Sequence, residues 1–175
     1  PALSLLARPG DGSVRTRCVA MLVADGVDGD SLRIVKDKLD EGGAVSRFVG
    51  QKLGQVTDIA GQKIIVDVSI DAMPPVLFDG LIVPAGDLAL LALGSDARAR
   101  DFVKEQYRHG KTILALGAAG SLLAEVGIPD ASPTGETDPG IVHFETREAK
   151  RAAAAFIAAL AKHRHPQRET DPPLV

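Results

Sequence analysis

The stretch Lys111-Thr112-Ile113-Leu114-Ala115-Leu116-Gly117-Ala118-Ala119-Gly120-Ser121-Leu122-Leu123 constrains the fold most strongly. It reads as a buried strand, a tight glycine turn and the opening of a helix. Such a strand-to-helix elbow exposes one side chain at a helix N-terminus, and in many α/β enzymes that side chain is the nucleophile. Here the elbow offers Gly117, Ala118 and Ala119. No Cys stands there, no Ser occupies the apex, and no His follows. The scaffold of a catalytic site is present without its chemistry.

The rest of the chain repeats the strand-then-helix alternation. Arg17 to Ala24 is an almost unbroken apolar run, as suits a central parallel strand covered on both faces. Asp25-Gly26-Val27-Asp28-Gly29-Asp30 is turn chemistry, followed by Leu32, Val35 and Leu39 at helical spacing. Asp28 or Asp30 caps that helix and Gly42-Gly43 ends it. Ala44 to Val49 is a second strand. Residues 53–70 read as a hairpin excursion, with Gly54–Asp58 and Lys63–Val68 flanking Ala60-Gly61-Gln62. Phe78 to Gly86 is a third strand and its loop, and Asp87 to Leu93 a short apolar helix. A helix capped by Ser95 or Asp96 then runs to Gly110. Ser121 to Val126 is the elbow helix, Ile141 to Glu145 a last strand, and Thr146 caps the final helix through Leu160. This order predicts a three-layer, doubly wound, mostly parallel sheet with helices on both faces.

Composition narrows the function. Aromatic residues make up only 3% of the 175 residues, so the core is aliphatic and Ala-rich. A net charge of -3 without a basic, aromatic-studded patch argues against nucleic acid. No apolar run approaches ~20 residues, which excludes a helical membrane span. The first residues lack the regions of a signal peptide, and the chain begins with Pro, so the start is processed or the chain is a piece of something longer. Cys18 is the single cysteine; it reads as an inert core thiol in a reducing, cytoplasmic compartment. Residues 1–16 read as a linker, with an apolar patch at Leu3, Leu5 and Leu6. Residues 17–163 form the domain, and 164–175 a flexible tail that frays from His163.

Other candidate sites are weak. The Asp25–Asp30 turn lacks the GxGxxG spacing, and its three aspartates would repel a pyrophosphate. Those aspartates also fail the spacing of a calcium loop, so capping explains them better than metal. His163 and His165 are two apart, not the i, i+4 of helical metal ligands. His143 falls on a strand near the pocket and reads as a partly buried, satisfied side chain. Ser121 bonds backbone near its helix N-terminus.

Three segments, Val19–Asp28, Asp79–Gly86 and Ile113–Ala118, together with the opening Pro1-Ala2-Leu3-Ser4, resemble the C-terminal domain of large-subunit haem catalases. That domain is similar to class I glutamine-amidotransferase-like proteins, which implies a flavodoxin-like sheet. Active members of that superfamily carry a Cys at the elbow and an acidic partner at the start of the first helix. The matching positions hold Gly117 and Ser31, with Asp28 nearby, so the resemblance implies a vestigial site. Its elbow is Gly117 and Ala118, and its pocket lining is Asp28, Ser31, Gly86, Ser121 and His143. The resemblance implies a linker from an upstream catalase core and a parent enzyme that decomposes hydrogen peroxide with haem in that core. This chain would carry no haem, no metal and no catalase activity. Expected partners are the core and the other subunits of a homotetramer, with unfolded client proteins in a holdase role. Two alternatives are a small hydrolase or amidotransferase-like enzyme using Asp28, Ser121 and His143, and a small-molecule-binding module at the elbow. Flavin would find few aromatic rings to stack on.

Overall fold

β1 (Cys18–Val23) is buried on both faces beyond its first residue, as its unbroken apolar run demands. A computed structural model describes residues 11–129, 131–170 and 175. After β1 the chain turns at Gly26 and enters α1 (Gly29–Glu41). Asp28 caps α1, its carboxylate accepting from the Ser31 backbone N–H at 3.1 Å. β2 (Val45–Gly50) returns beside β1. The hairpin follows as an antiparallel pair, β3 (Gly54–Thr57) and β4 (Lys63–Val66). A two-residue strand, β5 (Val68–Ser69), then pairs with the end of β2.

A 3-10 turn at Pro75–Leu77 leads to β6 (Gly80–Val83). α2 (Asp87–Ser95) and α3 (Ala97–Arg108) follow. Asp96 caps α3 by accepting from the Arg98 N–H at 2.9 Å, whereas the Ser95 hydroxyl turns back to the Leu91 carbonyl. β7 (Thr112–Leu116), α4 (Ala119–Glu125), β8 (Ile141–Phe144) and α5 (Ala149–Leu160) complete the domain. The main sheet is parallel throughout, in the order β5-β2-β1-β6-β7-β8. The order reverses direction at β1, so right-handed crossovers put helices on both faces. α1 packs against α5, and α2 against α3 and α4. The core is aliphatic apart from Phe78, Phe102, Phe156 and Tyr107, none more than 3% exposed.

Several expectations are corrected. Thr146 caps no helix: residues Thr146–Glu148 form a 3-10 turn and α5 starts at Ala149 without a side-chain cap. The elbow helix starts two residues earlier than expected, at Ala119, and ends at Glu125 with Val126 as its C-cap. Cys18 is half-buried rather than sealed in the core; burial, then the nearby Asp79 carboxylate, still pushes its thiol up. The expected linker ends earlier than residue 16. Val14 is buried and the Thr16 N–H donates to Gly43 at 2.8 Å. Leu3, Leu5 and Leu6 lie outside the described residues. The chain from His163 to Thr170, expected as a fraying tail, packs against the domain. His165 and Arg168 are buried, because their polar groups find partners at the amino ends of β7 and β8.

Candidate functional site

The carboxyl ends of β1, β6, β7 and β8 meet around the elbow. β7 stops at Leu116, and Gly117 turns the chain with φ at 55°, in the left-handed region. A side chain at this position would carry backbone strain; glycine adopts the turn without it. The Gly117 N–H donates to Phe144 in β8 at 2.8 Å. A Cβ on Gly117 would stand 3.2 Å from Cβ of Ala85, so the elbow abuts the turn after β6.

That turn is pinned to the first one. The Asp28 N–H donates to the Ala85 carbonyl at 2.9 Å. Gly86, with φ at 117°, lies so close to the Gly26–Val27 peptide that a Cβ would come within 2.2 Å of the Gly26 oxygen. Ser31 is buried, with its hydroxyl donating to the Asp28 carbonyl at 3.2 Å. The residues Asp28, Ser31, Gly86, Gly117 and Ala118 thus gather on one end of the sheet. Their polar groups are committed to caps and turns.

His143 and Ser121 stand apart from that cluster. His143 is exposed on β8, not partly buried; its ring lies beside Gly120, at 3.5 Å from where a Cβ would be. Ser121 donates its hydroxyl to the Ala118 carbonyl at 2.8 Å, the bond expected of a helix-start serine. It borders a cleft of about 350 Å³ between α2 and α4, with Asp87, Leu91, Ala118, Leu122 and Glu125. Asp28, Ser31, Gly86 and His143 do not line this cleft. No Ser–His bond forms, and the expected pocket is divided into a bonded turn cluster and a separate surface cleft.

The densest polar network sits at the other end of the sheet and went unnoticed in the sequence. Arg168 and Asp138 form an ion pair at 2.5 Å with both side chains only 2% exposed. Arg168 also donates to the Lys111 carbonyl at 2.6 Å, and its guanidinium covers the Tyr107 ring at 4.8 Å. His165 shares a hydrogen bond of 3.0 Å with Thr112. Burial, then the Arg168 charge, pushes His165 down to about 4. The Lys111 ammonium donates to the carbonyls of Pro75, Val76 and Phe78. Burial, then Arg164, pushes it down to about 8. A Pro-rich terminal sequence hides this clasp, since its partners are far away along the chain.

Tyr107, the single tyrosine, is 3% exposed under Arg168 and presents no oxygen to a ligand. Among the described residues no three His, Cys, Asp or Glu side chains converge as metal ligands, and no helix is long and apolar enough to cross a membrane.

Comparison with known proteins agrees with this geometry. The sequence pattern of the C-terminal domain found in long catalases matches residues 15–170. Catalase HPII of Mycobacterium avium is 35% identical over 178 residues, covering 98% of this chain and 25% of that protein. Catalase HPII of Pseudomonas putida is 30% identical, covering 97% of this chain and 22% of that protein. The chain therefore spans about a quarter of the length of these relatives. Among solved structures, Drosophila melanogaster DJ-1beta superposes with a TM-score of 0.75 at 20% identity, covering 84% of this chain and 91% of that one. Oxidized Toxoplasma gondii DJ-1 gives 0.72 at 19% identity, covering 84% and 95%. These structures share the flavodoxin-like fold. The chain belongs to the family of C-terminal domains of long catalases.

Proposed function

We propose that this chain is an accessory domain, without turnover of its own, of a large-subunit haem catalase whose core decomposes hydrogen peroxide. The observation that carries this reading is the elbow: Gly117 keeps the turn, and its side-chain position holds no nucleophile. The polar groups around it serve backbone bonds, so the scaffold supports packing rather than chemistry. In this reading the domain rests on the core and on other subunits of a homotetramer, and it contributes to assembly and stability. Leu88 and Leu91 of α2, each 69% exposed, supply apolar area for that contact. Detached from it, the same surface would hold unfolded clients.

The test compares the full gene product with a form lacking this segment. The expected result is unchanged peroxide decomposition per haem, with earlier thermal inactivation and weaker tetramers. Loss of peroxide turnover from an intact, haem-loaded tetramer would contradict it. For the holdase role, Leu88→Ser/Leu91→Ser should abolish protection of a heat-aggregating client; unchanged protection removes that role.

A further inference from the structure

Away from the elbow, β2 and β4 leave a notch between them. β4 crosses the end of β2, where Val66 packs on Gly50. The strands meet again at Asp67, whose N–H donates to the Phe48 carbonyl at 2.9 Å and whose carboxylate accepts from the Phe48 N–H at 2.7 Å. Before that junction the two strands splay apart. The space between them is about 360 Å³, bordered by Ser46, Arg47 and Phe48 on one side and Lys63, Ile64 and Ile65 on the other.

Both walls of the notch are strand edges: among the described residues β4 pairs only with β3, and β2 pairs with β5 only at Val49 and Gly50. The parallel register turns alternate residues of β2 away from β1. Gly50 and Phe48 spend their outward groups on Ile70 and Asp67. Ser46 turns its N–H and C=O to the same side, where β5 pairs only with Val49 and Gly50. On β4, the pairing phase follows from Thr57. Its N–H donates to the Asp25 carboxylate and its C=O accepts from Gly26, so both point away from Lys63. Lys63 and Ile65 therefore turn their own peptide groups outward from the hairpin.

The charge on this notch is one-sided. Arg33 is held by Asp58 at 2.7 Å and Lys36 by Asp40 at 3.0 Å. Arg47 makes no ion pair among the described residues, and Lys63 donates only to the Thr57 hydroxyl. Among the described residues, these two exposed cations make no ion pair beside the notch edges, and Asp67 is engaged with the Phe48 peptide. Half-buried Phe48 and 67%-exposed Ile65 supply apolar contacts between them.

We propose that the notch between β2 and β4 receives an extended acidic peptide segment, which pairs as a strand with Ser46 and with Lys63 and Ile65 while its carboxylates meet Arg47 and Lys63. Strand addition supplies main-chain bonds, and charge selects the partner. Anions without a backbone would satisfy only the cations. Basic strands would be repelled. None of the residues bordering this notch belongs to the elbow.

The test titrates the labelled 175-residue chain with an octapeptide of alternating glutamate and valine. Controls are a lysine–valine octapeptide, an N-methylated glutamate–valine octapeptide, free glutamate and inorganic phosphate. Amide shifts and hydrogen exchange report on Ser46, Lys63 and Ile65. The acidic peptide should slow exchange at these amides, while the lysine and N-methylated peptides should not. Arg47→Glu/Lys63→Glu should weaken binding at least about tenfold at unchanged melting temperature, and Arg47→Gln by a smaller factor. Equal shifts from phosphate or free glutamate would reduce the notch to an anion site and overturn the proposal. So would binding indifferent to the charge reversal, or protection of these amides by the chain's own self-association. Absence of any acidic-peptide binding at about 1 mM would also sink it.

Discussion

The two ends of the parallel sheet are built on opposite plans. At the carboxyl ends of the strands, glycines at 26, 86 and 117 hold demanding backbone turns, and few side chains are free to act. At the amino ends, Lys111, Asp138, His165 and Arg168 are all buried and interlocked. At one end, glycines shape the turns and the Asp28 and Ser31 side chains bond backbone. The other keeps strongly interacting groups in a purely structural arrangement. Reactive residue types alone are therefore a poor guide to a site in this chain: the buried His holds the terminal segment to β7, and the buried Lys holds the turn before β6. The same contrast explains why the terminal segment belongs to the domain.

The contrast can be broken by mutation. Arg168→Ala should have the largest effect, because it leaves the Asp138 carboxylate buried and unpaired. A loss of about 3–5 kcal/mol is expected by denaturant unfolding. A loss below about 1 kcal/mol would mean the clasp opens easily and the terminus frays after all.

Acid should attack the same end. His165 is held at about 4 in the fold, against 6.5 in an unfolded chain. Between those values the unfolded chain binds the extra proton, so stability is complete above 6.5 and falls as pH drops toward 4. The expected loss is about 3 kcal/mol. Lys111 works in the same sense at alkaline pH: its folded value is about 8 against 10.5, so stability rises across that window. Unfolding measured from pH 4 to 7 should steepen below 6.5 in the parent chain and flatten in His165→Gln. An equal slope in both would assign the acid loss to other groups.

At the carboxyl end the effects should be smaller. Gly117→Ala forces a Cβ into the left-handed region and against Ala85, at an expected cost of about 1–2 kcal/mol. A neutral result would show that the elbow relaxes and its geometry is not maintained. Ser121→Ala should change stability by less than about 0.5 kcal/mol, since the hydroxyl is exposed and its helix is short.

Much of this fold was legible in the sequence because its signals are local. Asp28 or Asp30, and Ser95 or Asp96, announce caps that the structure assigns to Asp28 and Asp96; the three inner apolar runs announce buried strands, and Ala60-Gly61-Gln62 marks the hairpin turn. The elbow was legible for the same reason, through a strand and a glycine in a row. The missed features depend on partners far apart in the chain. His165 needs Thr112, and Arg168 needs Asp138 and Lys111. Pro166 and the charged residues around it read as solvent-loving until those partners are known. The pocket was misjudged because strand ends show which loops converge, not which way a side chain points. His143 is exposed, and Ser121 borders a cleft that Asp28 does not line.

The central claim, that the elbow is a scaffold without chemistry, is tested most directly by covalent labelling. The Cys18→Ser form of the 175-residue chain should be treated with serine-reactive and carboxylate-reactive electrophiles and analysed by intact mass and peptide mapping. The account predicts no stoichiometric adduct anywhere from residue 115 to 121, nor on Asp28 or His143. A single stoichiometric adduct on Ser121 that disappears in Ser121→Ala, with turnover of the corresponding ester, would contradict it.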